Sequence, residues 1–372
     1  VAVLLACVIT AVGGFWLLPM LRRLHFGQTI LEIGPKWHQG KQGTPTMGGL
    51  MFIIGIPIAV VVAYLFMHAS TVGDPMSAIM RARMFYGLVL ALLFGAIGFL
   101  DDYLKVVKKQ NEGLSEKQKM ALQILFGAVY LLLLHISGTQ STMVTIPYIG
   151  TYDFGVFYYV FAMFAIIALS NAVNFTDGLD GLLSSVTLVL SIGYLIFCYL
   201  LGMGEMGIMA GALGGGCIGF LFWNHYPAKV FMGDTGSLFM SGMVIALAFG
   251  TGLPFFVVLF GIIYVIEIGS VVLQRCYFKL THGKRIFKMS PIHHHFEMSG
   301  YTEKQIVLMF AVITAIGSAL GILALLGNRV PAGVRGFLST LAVGDGIIAI
   351  LFIAIFYGQR PTLGWLAAVA GG

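Results

Sequence analysis

Long apolar segments recur along this chain and limit it to one broad class of fold. Most of the eleven that we delimit approach the ~20 residues that an α-helix needs to cross a bilayer. The chain is 59% hydrophobic and only 10% charged, whereas soluble domains carry about 25% charged residues. We therefore predict an all-α polytopic membrane protein. The predicted spans are 1–20, 47–67, 83–103, 119–137, 156–173, 182–202, 207–224, 236–253, 254–276, 304–327 and 337–358.

The predicted spans divide into a core and an extension. Ten of them form an integral membrane domain, residues 1–327, in which spans eight and nine are joined by a tight turn at Gly252-Leu-Pro254. The remaining segment, 328–372, is an apolar C-terminal extension to which we assign no role. It contains the extra helix, 337–358, whose Asp345 and several glycines make it the weakest of the predicted spans.

Basic residues predict the orientation of the chain. Most of the 21 lysines and arginines fall in loops that follow odd-numbered spans. Cytoplasmic loops carry an excess of these residues, so we place those loops in the cytoplasm and the N-terminus outside. We attribute the net charge of +6 to this asymmetry and to an anionic leaflet or ligand. No basic face with interleaved aromatic residues lies outside the loops, and we expect no nucleic-acid partner.

Carboxylates and histidines collect on the side predicted to be cytoplasmic. Asp101 and Asp102 end the third span, the acidic stretch 171–181 follows the fifth, Asp234 precedes the eighth, and the histidines 293–295 follow the ninth. Carboxylates suit Mg²⁺, and the free N–H groups at a helix start suit an anion such as phosphate. Together with the basic loops, these residues indicate metal-assisted phosphoryl transfer at a membrane surface.

Each of these motifs also has a simpler explanation when it is taken alone. The Asp101-Asp102 pair could end a helix in solvent, and Asp234 could belong to a turn and helix cap. The three histidines could form an exposed loop or a zinc site, although adjacent residues converge poorly on one ion. Glu267, inside the ninth span, could be a pathway residue, but we favour an interhelical hydrogen bond. The shared location of the motifs favours a functional site.

Five motifs follow one another along the chain: Gly43-Thr-Pro-Thr-Met-Gly-Gly49, Phe99-Leu-Asp-Asp-Tyr103, Asn171-Ala-Val-Asn-Phe-Thr-Asp-Gly-Leu-Asp-Gly181, Val230-Phe-Met-Gly-Asp-Thr-Gly-Ser237 and Pro291-Ile-His-His-His-Phe-Glu297. In this order they resemble the phospho-N-acetylmuramoyl-pentapeptide transferases, a branch of the polyprenyl-phosphate N-acetylhexosamine-1-phosphate transferases. The resemblance extends over residues 1–327. The family pattern has ten spans and an outside C-terminus, so the segment 328–372 departs from it.

The resemblance implies a reaction and a setting for it. Phospho-N-acetylmuramoyl-pentapeptide would pass from UDP-N-acetylmuramoyl-pentapeptide to undecaprenyl phosphate, giving lipid I and UMP with the help of Mg²⁺. The site would face the cytoplasm from the bacterial inner membrane, and the protein would be a homodimer in the lipid bilayer. Two alternatives remain at this stage: a related transferase that uses UDP-N-acetylglucosamine, and a membrane transporter.

The resemblance also assigns roles to individual residues. Asp101, Asp102, Asp234 and His293 are the expected catalytic residues, and Asp234 is the expected Mg²⁺ ligand. We expect Lys105 and Lys117, on the basic loop, to hold diphosphate oxygens. The full set expected to bind substrate is Lys41, Thr46, Lys105, Lys117, Asn171, Asn174, Asp177, Gly178, Leu179, Asp180, Asn224, Phe231, Gln274 and His294.

Overall fold

The part of the chain that the computed structural model describes is largely helical; it comprises residues 1–23, 41, 43–71, 75–108, 113–138 and 141–326. Its helices are Ala2–Arg23 (α1), Leu50–Thr71 (α2), Pro75–Lys108 (α3), Glu116–Ile136 (α4), Phe157–Thr176 (α5), Leu182–Leu200 (α6), Gly204–Asn224 (α7), Gly233–Gly250 (α8), Val257–Phe260 (α9), Ile262–Leu280 (α10), Ile292–Glu297 (α11) and Glu303–Leu326 (α12). A short 3₁₀ turn, Pro254–Phe256, precedes α9.

The helices confirm the predicted class of fold. Among the described residues, nine helices are long and apolar enough to cross a membrane, and the bent pair made by 254–260 and α10 brings the number to ten. Large apolar side chains such as Leu4, Trp16 and Phe66 lie exposed on the outside of the bundle, as expected for side chains that face lipid. The predicted eleventh span and the rest of 328–372 lie outside the described residues. The outside location of the N-terminus stays a prediction.

The ninth predicted span differs most from the expected straight helix. Residues Pro254–Phe260 and Ile262–Leu280 meet at an angle of 86°. The backbone of Gly261, between them, leaves the helical region with φ −106° and ψ 34°. A methyl group on Gly261 would lie 2.9 Å from the Tyr264 ring and 3.0 Å from the Val257 carbonyl oxygen. The bend therefore needs a residue without a side chain at this position.

A small hairpin interrupts the helices between α4 and α5. Its strands, Met143–Ile146 (β1) and Gly150–Asp153 (β2), pair antiparallel with Met143 opposite Asp153 and Ile146 opposite Gly150. These strands have no counterpart among the elements predicted from the sequence. They are short, and their apolar residues are too few to give a periodic signal.

Close packing of α3 against α8 positions the functional residues. Almost every residue of α8 is buried, and these two helices form the most extensive helix pair in the described bundle. At Gly98 of α3 a methyl group would overlap the main chain of Asp234. At Gly242 of α8 it would lie 2.5 Å from the Cα atom of Ala91. Small residues let helix backbones approach each other in this way, so the carboxylates near Gly98 lie next to the start of α8.

Candidate active site

Three carboxylates from two helices converge where α3 ends and α8 begins. Asp101 and Asp102 lie in the last turns of α3, and Asp234 is the second residue of α8. One carboxylate oxygen from each lies within 4.8 Å of the others. Asp101 also accepts the Leu114 N–H at 2.7 Å, which fixes its carboxylate. Carboxylate oxygens are hard donors of the kind that divalent cations bind, so the donor set fits a divalent cation.

Two lysines neutralise most of the charge of this acidic cluster, which we define as Asp101, Asp102 and Asp234. Lys105 Nζ lies 2.6 Å from Asp101 Oδ2 and 3.3 Å from Asp234 Oδ2. Lys119 Nζ lies 3.0 Å and 2.7 Å from the same two oxygens. Both ammonium groups are partly accessible, with 34% and 26% of their side chains exposed. They are therefore placed to hold the oxygens of a phosphate group that enters beside the carboxylates.

The first turn of α8 holds the Asp102 carboxylate in place. Asp102 Oδ2 accepts the Thr235 N–H at 2.9 Å and the Thr235 hydroxyl at 2.7 Å. Gly233, which opens α8, has a positive φ of 70°. A methyl group there would lie 2.5 Å from Asp102 Oδ2 and 2.7 Å from Thr46 Oγ1. Gly233 thus permits the close approach, and the predicted residue Thr46 lies at the edge of the acidic cluster.

The segment 171–177 contributes unequally to the cluster. Asn174 Nδ2 donates to Asp234 Oδ1 at 3.3 Å. Burial, followed by the negative charges of Asp234, Asp102 and Asp180, raises the pKa of Asp177 well above its usual range. Asn171 instead donates to the main-chain carbonyl of Ile167 at 2.8 Å, one turn back in α5. The structure therefore brings Asn174 to the acidic cluster, whereas Asn171 bonds within its own helix and to Gln123 Oε1 of α4 at 3.4 Å.

The structure brings Lys119, and not the predicted Lys117, to the acidic cluster. Lys117 is exposed on α4, whereas Lys119 contacts both Asp101 and Asp234. Residues two positions apart in an α-helix point to nearly opposite faces, since each residue turns the helix by about 100°. Lys119 thus lies on the face of α4 that meets the carboxylates, and Lys117 lies on the outward face, where binding of diphosphate oxygens stays a prediction.

The turn between α5 and α6 forms a second part of the site. Leu179 and Asp180 in this turn are buried. Asp180 Oδ1 pairs with Lys41 Nζ at 2.7 Å, and the Gly181 N–H donates to Asn224 Oδ1 at 3.1 Å. Four residues predicted to bind substrate, from three separate parts of the sequence, therefore lie together.

Glu303, at the start of α12, completes this group, although no sequence motif pointed to it. Its carboxylate lies 2.7 Å from Lys41 Nζ and accepts the Asp180 N–H at 3.1 Å. Burial alone would lower the pKa of Lys41. The charges of Glu303 and Asp180 outweigh that effect and raise the Lys41 pKa above its ordinary value. Lys41 is therefore cationic at neutral pH.

His293 lies in α11 against the same turn. Its Nδ1 is 3.0 Å from Glu267 Oε1, and both side chains are fully buried. The Nε2 atom faces Gly178 so closely that a methyl group on that glycine would overlap it. Among the described residues, His293 Nε2 has no hydrogen-bond partner. The interpretation of Glu267 as a hydrogen-bonding residue is consistent with this geometry, and its partner is a predicted catalytic histidine.

Two of the residues predicted to bind substrate, Gln274 and His294, form hydrogen bonds with residues that are close in the sequence. Gln274 Oε1 accepts the N–H groups of Ile286 and Phe287, each at 3.0 Å, and Gln274 Nε2 donates to the Phe287 carbonyl at 3.1 Å. His294 Nδ1 lies 2.6 Å from Glu297 Oε2. Gln274 thus fastens the loop after α10, and His294 is tied within α11.

Phe231 is held by backbone pairing with the glycine-rich segment that precedes α2. The Phe231 N–H donates to the Pro45 carbonyl at 2.8 Å, and the Gly48 N–H donates to the Phe231 carbonyl at 2.8 Å. Phe231 is partly exposed and lies three residues before Asp234. The first and fourth of the five motifs therefore meet beside the acidic cluster.

Sequence comparisons identify relatives that cover most of the chain. A protein of Heliobacterium modesticaldum is 45% identical over 322 residues, which are 85% of this chain and 95% of that protein. Proteins of Listeria welshimeri and Clostridium perfringens are 42% and 44% identical, also over 85% of this chain and 95% of their own lengths. All three are named phospho-N-acetylmuramoyl-pentapeptide-transferase. The chain belongs to the phospho-N-acetylmuramoyl-pentapeptide-transferase family.

The residues matched by two family models include parts of the candidate site. The Glycosyl transferase family 4 model matches residues 84–252, which include the whole acidic cluster. Signature 1 of the phospho-N-acetylmuramoyl-pentapeptide-transferase family matches residues 41–53, which include Lys41 and Thr46. The two matches thus cover both the carboxylates and the segment that pairs with Phe231.

The C-terminal part has a different match. The Na+/H+ antiporter 1 model matches residues 291–372. Within the described part of that range, α11 supplies His293, which lies against Gly178, and α12 supplies Glu303, which pairs with Lys41. Up to residue 326, therefore, this segment is built into the same bundle as the acidic cluster. The remainder, 327–372, lies outside the described residues.

Proposed function

We propose that this protein transfers phospho-N-acetylmuramoyl-pentapeptide from its UDP conjugate to undecaprenyl phosphate, releasing UMP and forming lipid I for peptidoglycan synthesis. The observation that carries the proposal is the convergence of Asp101, Asp102 and Asp234 within 4.8 Å, with two lysines beside them, in a member of this family. The spanning helices support a location in the inner membrane of a bacterium. The excess of basic residues in the site-side loops supports a cytoplasmic active site.

We propose Mg²⁺ as the cofactor, with Asp234 as a ligand and Asp101 and Asp102 completing the acidic cluster. When bound, Mg²⁺ would neutralise charge on the diphosphate. Each residue supplies oxygen donors, which Mg²⁺ prefers over nitrogen and sulfur. Lys105 and Lys119 pair with carboxylate oxygens of this cluster, and we expect their ammonium groups to turn towards the substrate phosphate when it binds.

We favour a single displacement for the chemical step. An oxygen of the lipid phosphate attacks the phosphorus atom that carries the sugar, and the bond from that phosphorus to the UMP oxygen breaks. A phosphate monoester has a second pKa near 6, so the attacking oxygen is already ionised at neutral pH and needs no base. Lys105 and Lys119 stabilise the charge on the transferring phosphate. The segment 41–49, the turn 177–181 and Phe231 hold the nucleotide.

The nearest alternative is a transferase for UDP-N-acetylglucosamine. An assay of substrate specificity distinguishes it from the proposed function. Purified protein in lipid vesicles is given a polyprenyl phosphate, Mg²⁺ and one UDP-sugar at a time, and UMP release is measured. We expect release with UDP-N-acetylmuramoyl-pentapeptide. Release with UDP-N-acetylglucosamine alone contradicts the proposal, and the absence of lipid-dependent UMP release with either sugar contradicts transferase function.

We further propose that the protein acts as a homodimer, for which the family resemblance is the support, and that 328–372 is a peripheral addition. A chain truncated after residue 327 retains every described residue of the site. It should therefore keep turnover within about twofold of the full chain, since surface changes away from a site usually have small effects. Complete loss of activity in folded truncated protein would assign the extension an essential role.

A further inference from the structure

Glu303, the first residue of α12, belongs to none of the five motifs, yet its carboxylate contacts two residues assigned to substrate binding. Glu303 Oε2 lies 2.7 Å from Lys41 Nζ and accepts the Asp180 N–H at 3.1 Å. Only 10% of its side chain is exposed. Because glutamate is seldom buried without partners, a position with two such contacts indicates a specific role.

The first contact fixes the direction of the Lys41 side chain. Lys41 Nζ lies between two carboxylates, 2.7 Å from Asp180 Oδ1 and 2.7 Å from Glu303 Oε2. An ammonium group has three N–H donors on a flexible four-carbon stem. With one carboxylate partner the Lys41 side chain could adopt several conformations, whereas two partners restrict it to one. The third donor is then aimed in one direction, where it can meet an oxygen of a bound nucleotide.

The second contact fixes the main chain of the turn 177–181. The Asp180 N–H donates to Glu303, while Asp180 Oδ2 accepts the Ala228 N–H at 2.9 Å. The turn is therefore tied to α12 through its backbone and to the segment after α7 through its side chain. A change at Glu303 would loosen both Lys41 and the turn.

We propose that Glu303 is a positioning residue for the uridine nucleotide: it orients Lys41 and holds the turn 177–181 in the shape that accepts the nucleotide half of the substrate. This inference rests on the proposed function. Glu303 belongs to a different set of contacts from the acidic cluster, whose phosphate-binding groups are Lys105 and Lys119. Its loss should therefore weaken substrate binding more than it slows the chemical step.

The test compares Glu303→Gln and Glu303→Asp with a matched control, Glu116→Gln, in purified full-length protein. Glu116 also lies in the first turn of a helix, α4, but is exposed. We expect Glu303→Gln to raise KM for the UDP-sugar about tenfold or more, the effect of losing a hydrogen bond to a charged group, with kcat within about twofold. Glu303→Asp, which keeps the charge, should recover part of the loss. An unchanged KM, or a fall in kcat alone, overturns the proposal.

Binding of UMP, measured by calorimetry on the same samples, separates this inference from the proposed function. If the wild-type chain releases no UMP from any UDP-sugar, the proposed function fails, but weaker UMP binding by Glu303→Gln still supports positioning of a uridine nucleotide. Equal UMP affinity in wild-type and Glu303→Gln protein, or no UMP binding by the wild-type chain, overturns it. If Glu303→Gln does not fold, the same comparison is made with Glu303→Asp.

Discussion

Lys119 Nζ lies 2.7 Å from Asp234 Oδ2 and links α4 to the first turn of α8. This ion pair joins a residue that follows a loop to a residue that opens the most buried helix of the bundle. Its ammonium group occupies the oxygen that we assign to a metal ion. The acidic cluster is therefore balanced by the protein's own cations, which we expect to turn towards the substrate phosphate when it binds.

We expect Lys119→Ala to lower kcat by about 10- to 1,000-fold, because it removes a cation that stabilises charge on the transferring phosphate. The matched control is Lys117→Ala, two residues away on the same helix and exposed, which should keep kcat within about twofold. Steady-state UMP release measures both. Equal losses in the two variants would contradict a specific role for Lys119 and would indicate an effect of the overall charge at the start of α4.

Asp234→Asn should reduce turnover by at least about 100-fold while the protein stays folded, since it removes one charged oxygen from the proposed metal ligand at nearly constant side-chain volume. Asp153→Asn, in the exposed hairpin strand β2, is the control and should keep wild-type turnover. Thermal unfolding in detergent reports on the fold. Wild-type turnover in Asp234→Asn would contradict the assignment of Asp234 as a ligand of the metal ion.

Removal of divalent cations should abolish turnover without unfolding the protein. Lys105 and Lys119 pair with the carboxylates, so the cluster keeps counter-charges when a chelator is present. We expect EDTA to stop UMP release, Mg²⁺ to restore it, and the melting temperature to change by only a few degrees. Full turnover in excess chelator would contradict a metal-dependent mechanism, and unfolding in chelator would show that the lysines do not suffice.

Gly178→Ala should impair catalysis through His293. The added methyl group would overlap His293 Nε2, and the buried pair with Glu267 leaves the imidazole little room to move. We expect a loss of about tenfold or more in kcat/KM, as displacement of a catalytic group by about 1 Å can cost 100-fold. The control, Gly269→Ala, adds the same methyl group in α10, where no atom of the described residues, apart from its chain neighbours and its own helix backbone, lies within 4 Å. Equal activities of the two variants would remove His293 from the mechanism.

The class of fold could be predicted because apolar length is a local property that each segment shows by itself. The 86° bend before α10 could not, since it depends on how Gly261 packs against Tyr264 and Val257. Pro254 marks the start of that segment, but no local sequence pattern predicts a change of helix direction seven residues later.

In the candidate site, too, the features set by local sequence could be predicted, and those set by tertiary contacts could not. Asp101, Asp102 and Asp234 could be predicted because their motifs place them at helix ends on one side of the membrane. The contacts of Lys119 and Glu303 could not, because they depend on which distant segments the fold brings against α4 and α12. Lys41 and Glu303 are 262 residues apart, and no local pattern links them.

The glycine contact between α3 and α8 has a consequence for ion selectivity. Because Gly98 lets α3 touch the main chain of Asp234, the separation of the carboxylates is set by two helix backbones rather than by flexible side chains alone. Mg²⁺ binds oxygen at about 2.0–2.1 Å, while Ca²⁺ requires about 2.3–2.6 Å and more ligands. We expect such a rigid frame to favour the smaller ion, so that discrimination between cations originates in the packing of glycine against a helix.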